Sequence, residues 1–226
     1  NKLNGVNDYT KGYLDAIMKA QRSIYGYFFL EDMLKGDVLD EMLRVCPVKP
    51  NKDGVETVQY VYANYFLARR MATDERTDIM SRIGRELGTK NKINLYTPDS
   101  AVKFINVNNR GTVDYYNEMP YVFRNSRINL NITLRSIKSG IPLRCMDICG
   151  AGGFLLSNYQ EDLYDVFVPG EDMIIYDSID DLMNKCKYYL SHDAERRQIA
   201  QNGFGKIEEK HTYDIRFEEI FNIVFN

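Results

Sequence analysis

The sequence predicts an α/β fold in which an N-terminal helical region precedes a Rossmann-like parallel sheet. The first observation is helical periodicity, because apolar residues recur every three or four positions up to about residue 88. The second is a change of pattern after residue 90, where short apolar runs alternate with helical stretches. Such alternation is typical of a parallel sheet flanked by helices. We therefore predict a helical subdomain over 1–88 and a Rossmann-like domain with C-terminal helices over 89–226.

Three helices are predicted in the first part of the chain. The first has Asp8 as its N-cap, the second restarts at Gly36, and the third runs from about Val55 to Leu87. We expect their apolar faces to form a core rather than a surface for stacking bases. The predicted face of the first helix is Tyr9, Tyr13, Ile17, Ala20, Ile24 and Phe28. The predicted face of the third helix is Val61, Tyr65, Ala68, Ala72, Glu75, Ile79, Ile83 and Leu87.

Short strands and intervening helices are predicted in the second part of the chain. The strands correspond to apolar runs at 93–96, 104–107, 128–132, 154–157 and 173–176. The helices between them are expected near 113–125, 142–149, 160–167 and 179–190, the last with a capping box at 178–181. Two further helices are expected at 193–210 and 214–224.

Composition and charge argue against several classes of protein. The net charge is −3 and the pI is near 5.5, with basic and acidic residues interspersed, so no basic face is available to neutralise nucleic-acid phosphates. No apolar run approaches the roughly 20 residues that span a bilayer, and the N-terminus shows no export signal. The four cysteines form no CxxC pair, which fits reduced thiols better than disulfides or a zinc site. We therefore expect a cytoplasmic protein without a membrane span or a nucleic-acid partner.

Candidate ligand contacts follow from the positions of the predicted loops. In an open parallel sheet, ligands bind beyond the carboxyl ends of the strands. The loops selected by this rule are 108–113, 133–141 and the residues Asn158 and Tyr159. The loop 133–141 is the most informative. Its Gly140 permits close approach of a ligand to the backbone, and Pro142 suits the first turn of a helix.

The helix that starts near Pro142 is predicted to bind an anion. Its free amide groups and its dipole attract negative charge, and Arg144 in the same turn is suited to a two-pronged grip on phosphate oxygens. Asp147 lies three residues further and shares a face with Arg144. A carboxylate in this position is placed to accept hydrogen bonds from ribose hydroxyls. The stretch is thus suited to a nucleotide diphosphate.

Simpler interpretations of the same residues stay open. Arg144 and Asp147 also fit a solvated ion pair on a helix surface. The glycine run at 150–153 is more typical of a helix stop and a tight turn than of a phosphate cradle. His192 and His211 lie in the C-terminal helical region and favour capping or packing over catalysis, and the sequence supports no Ser-His-Asp or Cys-His arrangement.

A series of motifs in fixed order resembles a known enzyme family. The motifs are SRINLN (126–131), SGIPLRCMD (139–147), GGFLLS (152–157), DVFVPG (165–170) and HTY (211–213). Together they resemble the carboxyl-terminal domain of CgeB-like, spore-maturation-type glycosyltransferases, which are similar to family 4 of the two-Rossmann (GT-B) glycosyltransferases. The resemblance extends over roughly residues 60 to 222.

This resemblance implies that the chain binds a nucleotide-diphosphate sugar such as a UDP-sugar. A further Rossmann domain, expected before residue 1, would bind an acceptor that is a glycan, a protein or another cell-envelope molecule, and residues 1–88 would join the two halves. Gly111 and Val113 fall where the family's loop meets the nucleobase, and Arg144 falls where a pyrophosphate contact is expected. Asp147 aligns with the second of two acids that mark the donor site in such enzymes, whereas Ser139 replaces the first. The candidate donor-binding residues are Gly111, Val113, Asn131, Arg135, Ser139, Gly140, Arg144 and Asp147.

The implied reaction is sugar transfer through an oxocarbenium-like transition state. Arg144 and the amides after Gly140 would stabilise the departing diphosphate. No metal cofactor is expected, because folds of this type generally work without one and no Asp-x-Asp pair occupies a strand-end loop. The general base is not assigned. Two alternatives stay open: a non-catalytic nucleotide-sugar-binding or scaffold module, favoured by Ser139 and by the absent half, and a sugar-nucleotide epimerase, which uses a similar two-domain plan.

Overall fold

A computed structural model of the chain describes residues 3–50 and 54–225, which form two compact units. The helical unit contains the described residues up to Asp78 together with Leu134–Lys138. The sheet unit contains Ile79–Thr133 and the described residues from Ser139 onward. The domain boundary near residue 88 stays a prediction, whereas the chain passes between these two packing units after Asp78.

The helical unit is built from short and long helices around one apolar core. Its elements are α1 (Asp8–Arg22), α2 (Leu30–Met33), α3 (Gly36–Val45) and α4 (Val58–Tyr60), followed by a π-helical segment (Val61–Leu67) and by α5 (Ala68–Leu87), which continues into the sheet unit. Large buried side chains of this unit form the core and include Leu14, Leu30, Leu34, Met42, Tyr62, Leu67 and Met71.

The N-cap of α1 differs from its prediction, and the buried face agrees with its prediction only in part. Asn7 rather than Asp8 is the N-cap, because its side-chain oxygen accepts a hydrogen bond from the backbone N–H of Thr10 at 2.8 Å. Tyr9, predicted to be buried, is 71% exposed. The buried positions are Thr10, Leu14, Ile17, Met18 and Gln21. Ile17 and Phe28 are buried as predicted, whereas Ala20 and Ile24 are exposed. The pattern missed Gln21 because it is polar, and hydrogen bonds to the turn that follows satisfy its side chain.

The long third helix is confirmed, but it contains an irregular segment that the pattern did not predict. The predicted face is buried from Ala68 onward, at Ala68, Ala72, Glu75, Ile79, Ile83 and Leu87. In the π-helical segment, Tyr62 and Leu67 are buried, whereas the predicted Tyr65 is 41% exposed. A π-helical turn holds more residues than an α-helical turn. It therefore rotates the preceding residues about the axis, away from a strict 3.6-residue repeat.

The strands of the sheet unit pair in parallel, as predicted for an α/β chain. β1 (Ile93–Leu95) pairs with β2 (Val107–Asn109) in a two-stranded sheet. β3 (Asn129–Asn131), β4 (Leu155–Asn158) and β5 (Ile174–Tyr176) form a second sheet in the order β3-β4-β5. The chain is a mixed α/β protein with short parallel sheets and substantial helical content, which confirms the Rossmann-like fold class.

β2 lies further along the chain than predicted. The apolar run at 104–107 predicted a strand, but pairing begins at Val107 and ends at Asn109. Asn106 has a φ of 58°, in the left-handed region, so the backbone is not extended before Val107. The side-chain amide of Asn106 also donates to the carbonyl oxygen of Gly84 at 3.3 Å. The apolar run at 104–107 therefore predicted a strand at a position where the structure has a turn next to α5.

Helices connect and follow these strands. They are α6 (Met119–Asn125), α7 (Leu143–Gly150), α8 (Leu163–Val166), α9 (Ile179–Ser191), α10 (Asp193–Lys210) and α11 (Tyr213–Phe225). The predicted helix 193–210 agrees with α10 at both ends. Ser178 caps α9, as predicted, by accepting a hydrogen bond from the backbone N–H of Asp181 at 3.1 Å. α6 and α8 are shorter than predicted because turns occupy the residues before them.

The sheet β3-β4-β5 lies in the interior of the sheet unit. Every residue of β4 and β5 is buried, which is usual for a parallel sheet covered by helices. α7 packs against β3, β4 and α10, and α9 packs against β5. α10 approaches so closely at Gly203 that an added Cβ would lie 2.5 Å from the carbonyl oxygen of Asp172. A side chain at this position would therefore separate α10 from the core.

α11 differs from the other helices of the sheet unit because none of its described side chains is buried. Tyr213, Phe217, Phe221 and Phe225 form a row along one side of the helix, with neighbouring ring centres 5.9–6.2 Å apart. Across residues 3–50 and 54–225, no helix has both the length and the apolar character that crossing a membrane requires.

Candidate functional site

A buried polar network occupies the carboxyl ends of β3 and β4. Asn131, the last residue of β3, donates from its side-chain amide to Thr133 Oγ1 at 2.8 Å and to Ser157 Oγ at 2.9 Å. All three residues are buried, so these bonds satisfy polar groups that are costly to leave unpaired. Both amide hydrogens of Asn131 are thus used inside the protein. Its role as a donor contact stays a prediction.

Asn158 fixes the backbone where the chain leaves β3. Its side-chain oxygen accepts a hydrogen bond from the N–H of Thr133 at 2.7 Å, and its side-chain nitrogen donates to the carbonyl oxygen of Thr133 at 3.2 Å. An asparagine amide resembles a peptide unit. The two bonds therefore continue the β3-β4 pairing beyond the strands and hold Thr133 at the sheet edge where ligands are expected.

The segment that enters α7 combines an unusual backbone conformation with a carboxylate. Gly140 has a φ of +91°, which residues with a side chain rarely adopt. Its N–H donates to the carboxylate of Asp162, so this amide is not free. Asp162 lies 22 residues away in the chain, and no local pattern pointed to it. A phosphate at Gly140 has to displace this carboxylate or lie beside it.

α7 begins without a side-chain cap. Pro142 occupies the N-cap position rather than the first helical turn, and its carbonyl oxygen accepts a hydrogen bond from the N–H of Cys145 at 2.8 Å. Leu143, the first helical residue, is 75% exposed, and Arg144 is exposed as well. An uncapped and exposed helix start presents N–H groups and the positive end of the helix dipole to solvent. This arrangement is suited to an anion.

Arg144 projects from this turn and has no acidic partner among the residues that the structure describes. Its Cζ lies 5.5 Å from the centre of the Phe123 ring, and its Nη1 lies 4.0 Å from the sulfur of Met119. The interpretation of Arg144 and Asp147 as a surface ion pair is therefore wrong, because Asp147 bonds to a different residue. The aromatic ring supports the cation while leaving guanidinium N–H groups available.

Asp147 is oriented by Tyr115, which the sequence did not identify. The Tyr115 hydroxyl donates to Asp147 Oδ2 at 2.5 Å. This hydrogen bond, more than burial, raises the pKa of Tyr115 above its usual value. The two residues are 32 positions apart, so their contact depends on the packing of α7 rather than on any local motif. Tyr115 fixes the carboxylate through one of its two oxygens.

Gly111 and Val113 lie in the loop after β2, at the carboxyl end of that strand. Gly111 has a φ of +74°, and its N–H donates to Asn109 Oδ1 at 3.0 Å. Val113 is half-buried, and the next residue, Asp114, starts a turn by accepting a hydrogen bond from the N–H of Asn117 at 2.6 Å. The loop is thus ordered by its own side chains. Contact of Gly111 and Val113 with a nucleobase stays a prediction.

Arg135 belongs to the helical unit, whereas Ser139 belongs to the sheet unit. The Arg135 side chain is 4% exposed, and its Nη2 lies 2.6 Å from a carboxylate oxygen of Glu75. Its Cζ lies 3.1 Å from the centre of the Tyr25 ring. This guanidinium, predicted to bind the donor, is instead half of a buried ion pair. Ser139 is exposed, and its part in donor binding stays a prediction.

The region that carries this arrangement matches a described family. A sequence model of the glycosyl transferase-like family matches residues 75–222. The chain belongs to the glycosyl transferase-like family. Membership indicates transfer of a sugar and leaves the CgeB-like subtype as a prediction. A comparison with curated proteins finds no match to the chain.

The glycosyl transferase-like region includes β1 to β5, α7 and every candidate donor-binding residue from Gly111 to Asp147. It also includes both members of the buried ion pair, because Glu75 is the first matched residue and Arg135 lies within the match. The sheet edge around α7 and this ion pair therefore both lie in the part of the chain that matches the family.

The glycine run at 150–153 ends α7 in the glycosyl transferase-like region. The N–H of Gly153 donates to the carbonyl oxygen of Ile148 at 2.8 Å, and the N–H of Gly152 donates to that of Cys149 at 2.9 Å. Gly152 has a φ of +76°. These bonds form a Schellman motif, which confirms the interpretation as a helix stop. The two amides are consequently not available to cradle a phosphate.

The remaining candidate groups have structural roles. Cys46, Cys145, Cys149 and Cys186 are free thiols. Burial raises the pKa of Cys145 and of Cys186 to about 12, so both are protonated and unreactive at neutral pH. His192 joins α9 to α10 and stacks on Tyr188 with ring centres 3.8 Å apart. Over the described ranges, no group of three or more His, Cys, Asp or Glu side chains is placed to hold a metal ion. Independence of metal stays a prediction.

Proposed function

We propose that this chain is the donor-binding part of a glycosyltransferase and holds a nucleotide-diphosphate sugar at the start of α7. The observation that carries the proposal is the first turn of α7, which is exposed and has no side-chain cap. Arg144 in this turn has no acidic partner among the described residues, and the turn lies inside the region that matches the family. The N–H groups of Leu143 and Arg144 and the Arg144 guanidinium would contact the diphosphate. These donors would stabilise the negative charge that develops as the bond between sugar and phosphate breaks.

The proposal assigns the rest of the nucleotide to neighbouring residues. Asp147, oriented by Tyr115, would accept hydrogen bonds from the ribose hydroxyls. Gly111 and Val113 would border the nucleobase, and Ser139 would lie on the sugar side. The Asp162 carboxylate would release the amide of Gly140 when the diphosphate enters.

The proposed reaction is substitution at the anomeric carbon of the donor sugar. The bond to the diphosphate oxygen breaks, a bond to an acceptor oxygen forms, and the proton of the acceptor hydroxyl passes to a base. The same proposal includes a UDP-sugar as donor and a glycan, protein or other cell-envelope molecule as acceptor. It also includes the CgeB-like subtype, a cytoplasmic location and an acceptor-binding Rossmann domain before residue 1. In this proposal no metal is needed, since the Arg144 guanidinium and the N–H groups at the start of α7 would meet the leaving group.

Calorimetric titration with uridine, UMP and UDP, and with ADP and GDP, tests the donor site. We expect the nucleoside diphosphates to bind at least about tenfold more tightly than the corresponding nucleoside, because each charge-assisted phosphate contact contributes about 1.5–3 kcal/mol. Equal affinity for uridine and UDP would show that the start of α7 does not hold the diphosphate. Absence of binding by every nucleotide at millimolar concentration would overturn the donor assignment.

The exposed Ser139, at a position where related enzymes carry an acid, favours the alternative of a non-catalytic module. Incubation with a UDP-sugar separates the alternatives. Slow release of free sugar and UDP supports a transferase, since water then replaces the acceptor. Binding without any turnover supports a non-catalytic module. Formation of an epimeric UDP-sugar without acceptor supports an epimerase.

A further inference from the structure

A second candidate site lies in the sheet unit at a cavity rich in arginine. The cavity has a volume of about 540 Å³, and Arg124, Arg127, Arg196 and Arg197 all line it. Among the described residues that line it, none is acidic. The chain as a whole carries a net charge of −3. Four cations around one cavity are therefore a local concentration of charge and not a reflection of composition.

The cavity lies at the opposite edge of the sheet from the start of α7. Arg124 lies at the end of α6, and Arg127 lies in the turn that immediately precedes β3. Phe154 also lines the cavity and immediately precedes β4. These are the amino ends of the two strands, whereas the proposed donor site follows their carboxyl ends. Strands of three or four residues separate the two edges by roughly 10 Å. The cavity is thus distinct from the donor site.

Arg196 is held in place before any ligand binds. It is only 7% exposed. Its Nη1 donates to the carbonyl oxygen of Arg127 at 2.9 Å, and its Nη2 bonds to Asp193. Its buried Nε has no hydrogen-bond partner among the described residues. A buried N–H without a partner is unfavourable. Arg196 therefore presents a fixed positive charge to the cavity that it lines.

The other arginines keep capacity for a ligand. Arg124 is exposed and takes part in no ion pair among the described residues. Arg197 shares Asp193 with Arg196, at 2.8 Å, and its side chain is 77% exposed. One carboxylate therefore faces two of the four guanidinium groups. The planar arrangement of N–H donors in arginine matches phosphate oxygens better than a lysine ammonium does.

We propose that this cavity binds a small organic phosphate at a site separate from the donor site. The arginines would hold the phosphate, and Phe204, which lines the cavity and is 38% exposed, would contact the carbon part of the ligand. The volume lies within the roughly 300–1,000 Å³ of small-molecule pockets, which favours a metabolite-sized ligand over a polymer. The proposal does not depend on the donor assignment.

Calorimetry with inorganic phosphate, sulfate, ribose 5-phosphate and a single-stranded oligonucleotide tests this site. All titrations use an Arg144→Gln background, so that binding at α7 contributes little. The test variant adds Arg124→Gln and Arg197→Gln, because both side chains are exposed and their loss leaves the buried Arg196 in place. We expect ribose 5-phosphate to bind more tightly than phosphate and to lose about tenfold or more in affinity in the test variant. A matched control with Arg85→Gln and Lys90→Gln removes the same charge from exposed positions outside the cavity lining and should bind like the background.

Four results would overturn the proposal. One is unchanged affinity in the test variant, and another is an equal loss in the control, which would indicate a general charge effect. The third is equal affinity for sulfate, phosphate and ribose 5-phosphate, which would show binding of any anion without recognition of an organic phosphate. The fourth is tighter binding of a single-stranded oligonucleotide than of ribose 5-phosphate, with the loss of affinity confined to the test variant. This result would show that the cavity binds a polyanion instead of a small ligand. Equal affinity for UDP in the unmodified chain and in the Arg144→Gln background bears only on the start of α7, because Arg144 does not line this cavity.

Discussion

Arg135 in the helical unit and Arg144 in the sheet unit come from the same stretch of sequence but have opposite environments. Arg135 is buried against Glu75 and Tyr25, whereas Arg144 is exposed and lies beside Phe123 and Met119. Removal of a charge from water has to be compensated within the fold. The charge of Arg135 is therefore used for structure, and the charge of Arg144 remains available to a ligand.

The largest expected effect is on the buried pair. We expect Glu75→Gln to lower the free energy of unfolding by about 3–5 kcal/mol, because it leaves the Arg135 charge buried without a counter-charge. Urea denaturation at pH 7 measures the change. Asp15→Asn is the matched control, since Asp15 pairs with Arg70 at 2.8 Å on the exposed surface of the same unit and should change stability by no more than about 1 kcal/mol.

A double variant sharpens this result. Replacing the pair by apolar residues, with Arg135→Met and Glu75→Leu, should recover most of the stability lost in Glu75→Gln, because no unpaired charge remains. A loss below about 1 kcal/mol in Glu75→Gln would show that Arg135 gains its compensation elsewhere.

The second expected effect concerns binding rather than stability. Arg144→Ala should weaken binding of a nucleoside diphosphate by about 1.5–3 kcal/mol, since it removes a charge-assisted contact to phosphate. Its urea midpoint should stay close to that of the unmodified chain, because the side chain is exposed. Calorimetry measures the affinity, and Arg85→Ala, also exposed in the sheet unit, is the control. Equal affinities in the two variants would contradict the phosphate role of Arg144.

The third expected effect is a pH dependence of stability that comes from the buried thiol of Cys186. Burial raises the pKa of Cys186 from 9.0 to about 12, so the folded state keeps this proton at a pH where the unfolded state loses it. The resulting stability is fully present below pH 9 and is lost as the pH rises towards the folded-state pKa. At pH 10 the loss should be on the order of 1 kcal/mol for this thiol.

Urea titrations at pH 7 and pH 10 test this linkage. Cys186→Ala should lose less stability between the two pH values than the unmodified chain. Met183→Ala should show the pH dependence of the unmodified chain, since it removes a buried side chain of α9 that carries no titratable group. The same pH dependence in all three proteins would show that the Cys186 thiol is not protected in the folded state.

The smallest expected effect probes the carboxylate beside the proposed diphosphate. Asp162→Asn keeps an acceptor for the N–H of Gly140 but removes a negative charge. We expect nucleoside diphosphates to bind more tightly by about 0.5–1 kcal/mol, and the gain to shrink at high salt because ions screen exposed charges. Asp165→Asn, on the exposed surface of α8, is the control. A weaker affinity in Asp162→Asn would place the diphosphate away from Gly140.

The sequence predicted those elements that depend on local patterns. The bounds of α10 agree with the prediction, and β4, β5 and α7 lie within one residue or two of their predicted positions. The choice of the start of α7 as the candidate site also came from local features, namely Gly140, Pro142 and Arg144. Such features act over one helical turn or one loop, so a single sequence contains them.

The remainder depends on contacts between distant residues. Asp162 reaches Gly140 across 22 residues, and Tyr115 reaches Asp147 across 32. The burial of Arg135 depends on Glu75, 60 residues away. No periodicity indicates such pairs. The π-helical segment was missed for another reason, since apolar spacing assumes 3.6 residues per turn throughout a helix.

The aromatic row along α11 affects how the protein behaves in solution. Its rings face water in the described structure, and Tyr213 is 84% exposed and Phe225 76% exposed. Contiguous apolar surface of this kind promotes self-association as protein concentration rises. A helix without a packed face also opens more readily than helices of the core. Amide hydrogens of α11 should therefore exchange with deuterium sooner than those of α7, and sedimentation of the chain should depend on its concentration.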